Sequence, residues 1–182
     1  MNRVLRTALP SLLALGALAA CTAEPAPVAT SAPSAAGTAA TTTAPAGPPP
    51  EPEPTADGQC PYLESSYVAE ANGQLVRKVR LSADRPDPAC FFYANATDVQ
   101  LSVWVFHGDP ATAKAVVDRA APVDKSSPAS APDGWKGGSL VLPEGAVYAV
   151  AKDGDAVVVT SNQKQSIKAK RVAETVVANL GL

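Results

Sequence analysis

What the chain has little of narrows its possibilities before any motif is sought. Its 182 residues include one histidine, one methionine and three cysteines, and aromatic residues make up only 5%. With His107 as the sole histidine, and cysteines at 21, 60 and 90, the spacing of a zinc site is missing. No metal is expected. Neither charge sign is in surplus: 15 basic residues stand against 17 acidic ones, for a net charge of −2. That balance argues against a nucleic-acid partner, which would call for a basic patch or stripe. Phosphate loops, dinucleotide fingerprints and the G-x-S-x-G nucleophile elbow are missing too, so no cofactor and no catalytic constellation is expected. The chain reads as a non-enzyme.

The N-terminus has the anatomy of an export signal. Arg3 and Arg6 form a positive start, and the apolar run Leu12 to Leu18 is too short to span a bilayer. Leu18-Ala19-Ala20-Cys21 then offers a branched residue and two small ones ahead of a cysteine. We read residues 1–20 as a lipoprotein signal peptide and Cys21 as the residue that carries the lipid. The alternative is an ordinary cleavage site with an incidental cysteine. Two acyl chains on Cys21 would hold the mature protein to a membrane face essentially permanently, which makes it an extracytoplasmic, lipid-anchored protein of the cell envelope.

Residues 21–59 are Ala, Pro, Thr, Ser and Gly with almost no large apolar side chain, and include Pro48-Pro49-Pro50 and Glu51-Pro52-Glu53-Pro54. Such a segment buries too little surface to offset chain entropy, so we expect a disordered tether with polyproline character near its end. Its reach lies between roughly 35 Å as a coil and roughly 120 Å extended. Thr41, Thr42 and Thr43 are either a bare spacer or O-glycosylation sites. Residues 60–182 hold all the aromatics and are enough for one globular domain. Once Cys21 is lipidated, Cys60 and Cys90 are the remaining thiols, and in an oxidising envelope we expect them to pair rather than stay free.

The domain's patterning alternates between the two periods. Tyr62 to Asn72 suggests a short helix stopped by Asn72-Gly73, and Leu75 to Leu81 and Cys90 to Tyr93 suggest strands about an Asp84-to-Pro88 turn. Val99, Leu101, Val103 and Val105 alternate with Gln100, Ser102, Trp104 and Phe106, the clearest strand in the chain. Asp109-Pro110 opens a helix with a capping residue and a proline at its first position, with Ala113, Val116, Val117 and Ala120 as its stripe. A loop is expected from Pro122 to Gly138. Ser139 to Leu142, Ala146 to Ala151 and Ala156 to Thr160 then form a meander joined by tight turns. A last helix, capped by Asn162 with Gln165 at its third position, buries Ala169, Val172, Ala173, Val176, Val177 and Leu180. The fold class is α+β, an antiparallel sheet packed by helices.

Candidate functional residues are few, and each has a plain alternative. His107 at a strand end could serve a hydrolase as a base, but no nucleophile accompanies it, and a histidine satisfied by its turn accounts for it equally. Asp153 and Asp155 flank a hairpin glycine and read as turn formers, as do Asn95 and Asp98. Trp135 lies in Pro132-Asp133-Gly134-Trp135-Lys136-Gly137-Gly138, where it is either an aromatic binding platform or a plug folded over the core. Lys164, Lys168 and Arg171 share one face near the start of the last helix, where the macrodipole favours anions. They are a solvated face or a seat for an anionic envelope component. Three functions follow: a binding module for an envelope component or envelope protein through these residues, a small-molecule or lipid carrier with an apolar cavity, or a hydrolase using His107.

Five stretches together carry a resemblance. They are Cys60-Pro61-Tyr62-Leu63, Cys90-Phe91-Phe92-Tyr93, Ala121-Pro122-Val123, Gly134-Trp135-Lys136-Gly137-Gly138 and Asn162-Gln163-Lys164-Gln165-Ser166-Ile167-Lys168-Ala169. In these the chain resembles the actinobacterial lipoprotein family called domain of unknown function twenty-twenty. The resemblance implies an envelope lipoprotein and transfers no catalytic residue. More distantly the domain resembles small lipoprotein domains with a layered α/β/α fold like that of the PsbP family, which implies helices on both faces of the sheet.

Overall fold

The computed structural model describes residues 47–182, so the export signal, Cys21 and the first part of the expected tether lie outside the described residues. Strand β1 (Ala56–Asp57) and helix α1 (Ser65–Asn72) come first, followed by β2 (Lys78–Leu81), β3 (Cys90–Tyr93) and β4 (Val99–His107). Helix α2 (Pro110–Ala120) leads to β5 (Ser127–Ala131), β6 (Trp135–Leu142), β7 (Gly145–Lys152), β8 (Asp155–Ser161) and helix α3 (Ser166–Leu180). All eight strands join one sheet in the order β1-β2-β3-β4-β8-β7-β6-β5, and every neighbour is antiparallel. The α+β expectation holds.

Two meanders meet where β4 pairs with β8, from Leu101↔Ser161 to His107↔Asp155. After β4 the chain crosses the sheet as α2, reaches the far edge at β5 and walks back strand by strand to the centre. Period-2 alternation sorts the side chains of these strands into two cores. On one face Leu101, Val103, Val157 and Val159 pack with Val68 of α1 and with Ala169, Val172 and Val176 of α3. On the other Val147, Ala149, Ala156 and Val158 pack with Ala113, Val116 and Val117 of α2. The result is three layers, with the sheet between helices.

Local chemistry explains most of the ends. The Asp109 side chain accepts from the Ala111 and Thr112 backbone N–H groups, and Pro110 sits in the first turn, where its missing N–H costs nothing. Gly73 closes α1 and Gly181 closes α3 in the left-handed conformation that glycine adopts without strain. Cys60 and Cys90 are disulfide-bonded and join the segment before α1 to β3.

Four expectations need correction. Helix α1 begins at Ser65 rather than Tyr62, because Tyr62 and Leu63 are buried in a bend ahead of it. Helix α3 begins at Ser166 with Gln165 as its uncapped first flank; the Asn162 carboxamide, expected as the cap, instead accepts from Asn72 Nδ2 at 3.2 Å. The expected loop from 122 to 138 contains β5, whose Ser-Pro-Ala-Ser-Ala sequence carries no apolar alternation and is held through main-chain pairing with β6. Its proline is tolerated because β5 is an edge strand.

The tether boundary also moves. From residue 47 onward the proline-rich segment lies on the domain: the Thr55 N–H donates to the Leu81 carbonyl at 2.8 Å and β1 extends the sheet edge. Pro48, Pro49, Pro52 and Pro54 are half-buried. Proline rings supply apolar area that a count of large aliphatic residues overlooks.

Candidate functional site

A cleft of about 530 Å³ opens between α2 and the β6–β7 side of the sheet. Its apolar lining comes from Pro110 and Val117 of α2, Ala121 and Val123 of the segment that follows it, Pro128 of β5 and Ala151 of β7. Lys114, Asp118, Lys136 and Asp153 add charge around it. Lys114 and Asp118 neutralise each other as an i,i+4 ion pair, whereas Lys136 has no ion-pair partner among the described residues.

The segment Gly134 to Gly138 builds this cleft. Trp135 turns into the core of the α1/α3 face, 1% exposed, and strand alternation then sends Lys136 outward. Gly138 lets β6 lie close beneath the turn after α2: a Cβ there would come within 2.6 Å of Ser126 Oγ and 3.0 Å of Ala121 Cβ. Gly137 is tighter still, since a Cβ would lie 2.0 Å from the Ala149 carbonyl oxygen. A side chain at Gly138 would enter the space beneath that turn, and one at Gly137 would collide with the backbone of β7. The aromatic-platform reading of Trp135 is therefore corrected: the indole is a plug, its N–H buried without a hydrogen-bond partner among the described residues.

His107 sits between two carboxylates. Its Nδ1 lies 2.7 Å from Asp155 Oδ1 and its Nε2 lies 2.9 Å from Asp87 Oδ2, so both ring nitrogens are engaged by carboxylates. Burial pulls the histidine pKa down, but the hydrogen bonds and charges of Asp155 and Asp87 outweigh it and leave the pKa above its ordinary value. Protonated, the ring joins the end of β4 to the loop before β3 and to the β7–β8 hairpin. Asp155 thus does more than form a turn. Asn95 behaves as expected, its carboxamide oxygen accepting from the Thr97 and Asp98 backbone N–H groups. Among the described residues no group of three or more His, Cys, Asp or Glu could hold a metal ion.

Over residues 42–182 the chain matches the family model described as a domain of unknown function, DUF2020. The chain belongs to that family. No curated protein matches it. Within this DUF2020 domain, two of the stretches that carry the resemblance, Ala121-Pro122-Val123 and Gly134 to Gly138, meet at the α2 cleft.

The basic residues of α3 do not assemble as one surface. Lys164 precedes the helix, and Lys168 reaches across to donate from Nζ to the Asn72 carbonyl oxygen at 3.0 Å. There it satisfies an unpaired carbonyl at the end of α1. Arg171 stays exposed, and Trp135 lies in the core beneath. Around Lys168 runs a buried polar knot: Ser161 Oγ donates to Asn72 Oδ1 at 2.6 Å, Asn72 Nδ2 donates to Gln100 Oε1 at 3.1 Å, and Gln100 Nε2 donates to the Leu75 carbonyl at 2.9 Å. The stretch from Asn162 to Ala169 is thereby tied to fold closure. No sequence signal points to Lys114, Asp118 or Val123 as cleft residues, because only the crossing of α2 over β6 and β7 brings them together.

Proposed function

We propose that this DUF2020 protein is a cell-envelope lipoprotein, anchored through lipid on Cys21, whose domain is a non-enzymatic binding module using the α2 cleft. The observation that carries the reading is the volume of that cleft, about 530 Å³, set over an apolar floor. Ligand sites typically occupy about 300 to 1,000 Å³, with apolar walls and a few placed polar groups. This is the carrier chemistry considered from sequence, with the apolar space between α2 and the sheet. Lys136 gives the ligand class: an apolar body bearing one anionic group, with Asp153 disfavouring anions at both ends.

Dodecanoate is a suitable probe. Calorimetric titration of the exported chain should give saturable binding that weakens about tenfold or more in Lys136→Glu, a loss of roughly 1.4 kcal/mol or more. Equal affinity in the two proteins would remove Lys136 from the site, and no binding to either would end the carrier reading. Anchoring is tested separately, since Cys21→Ala should abolish palmitate labelling of the protein in cells.

A further inference from the structure

Helix α2 packs chiefly on β7 and β8, and on the same side of the sheet the proline-rich segment lies against the β3–β4 half. Trp104 and Phe106 of β4 point to this side, packed edge-to-face with ring centroids 6.3 Å apart. Arg119, in the last turn of α2, lays its guanidinium over Trp104 at 5.4 Å. The same guanidinium donates from Nη1 to the carbonyl oxygens of Pro48 and Pro49.

Each of these features suits an extended proline-rich chain. Consecutive prolines adopt polyproline II, which makes no internal hydrogen bonds and so presents its carbonyls to outside donors. Aromatic-lined grooves with such donors are a recurring way of binding it, and the preformed helix loses little entropy when it docks. The chain's own strap, residues 48–54, does not fill the groove. A space of about 420 Å³ remains between Pro49, Pro50 and Pro52 and the Trp104–His107 end of β4, and another of about 300 Å³ lies by Glu51, Phe91 and Arg119. Arg119 Nε and Nη2 are buried without hydrogen-bond partners among the described residues, and the nearest carboxylate, Glu51, is 3.9 Å from Nε. The guanidinium therefore has donors to spare.

We propose that this face is a recognition groove for an extended proline-rich segment of a partner protein bearing a carboxylate for Arg119, with the strap as its occupant in cis. The seated strap defines the fitting chemistry: prolines facing Trp104 and Phe106 across the open space, carbonyls to Nη1, and an acid toward Nε. The groove lies on the opposite flank of α2 from the ligand cleft and does not depend on it.

The test uses the exported chain in nanodiscs and a fluorescein-labelled peptide, Pro-Pro-Pro-Glu-Pro-Glu-Pro, followed by anisotropy. Wild type should bind weakly, because the tethered strap competes at high effective concentration, and a chain with Pro49→Gly, Pro50→Gly and Pro52→Gly should bind about tenfold tighter or better. In that loosened chain Arg119→Gln should lose about tenfold of the binding, and Arg119→Lys, which keeps the charge but not the planar fork, should also weaken it. Thermal unfolding of each variant separates lost folding from lost binding. The proposal is overturned if loosening the strap leaves affinity unchanged, if a peptide with alanine for every proline binds as well, or if both Arg119 variants bind like their parent. Dimerisation of the loosened chain without peptide binding would overturn the partner assignment in favour of a second copy.

Discussion

The two faces of the sheet differ in how completely they are closed. On the α1/α3 side, two helices, a disulfide, a plugging tryptophan and a hydrogen-bonded knot of Asn72, Gln100 and Ser161 close the core, and a space of about 210 Å³ lies at the start of α3 beside Pro128 and Tyr148. On the α2 side, one helix and a proline strap cover the sheet, and spaces of about 530, 420 and 300 Å³ open around them. The larger buried cluster lies on the first face, and the larger spaces lie on the second. Function should be sought where packing is incomplete.

Substitutions of matched severity on the two faces can break this comparison. The largest effect should come from Trp135→Ala, which removes a fully buried ring from the closed face and should cost about 3 to 5 kcal/mol in urea unfolding. Lys136→Glu, one residue away but pointing into the cleft, should change stability by no more than about 0.5 kcal/mol. Comparable losses from the two would mean that the cleft side is structural as well.

Opening the disulfide with Cys60→Ser and Cys90→Ser should cost about 3 to 4 kcal/mol, from the loop-closure entropy of a 30-residue separation. Next comes Asn72→Ala, which strands the Ser161 hydroxyl and the Gln100 carboxamide in the core and should cost about 1 to 3 kcal/mol. Lys168→Met should reproduce a smaller part of that loss, measured the same way, because it removes the cap on the Asn72 carbonyl.

The smallest effect is the pH dependence contributed by His107. Its folded pKa lies above the unfolded value of about 6.5, so the stabilisation is complete below that pH and is lost as pH rises through the folded pKa. Urea midpoints should therefore fall as pH rises from about 6.5, and His107→Gln should flatten that slope. A slope of the opposite sign would show that the histidine is held neutral.

How much of this was legible depended on whether an element announces itself through its own side chains. Strand β4 did, because alternate residues enter two different cores, and α2 did, because Asp109-Pro110 is a start signal that needs no tertiary context. Strand β5 and the strap did not, because their Ser, Ala and Pro residues are held by a neighbour's main chain or by the Arg119 guanidinium far along the sequence. The direction of Trp135 was equally hidden. It follows from the register of β6, Lys136↔Ala151, which decides the face each side chain takes. The basic spacing on α3 could not reveal that Lys168 faces the end of α1, 96 residues away in sequence.

Amide chemical-shift mapping of the protein with dodecanoate tests the division of labour most directly. The account predicts shifts at Ala121, Gly137 and Gly138 while Val172 and Val176 of α3 stay still. Shifts centred on α3, with the α2 cleft unmoved, would contradict it.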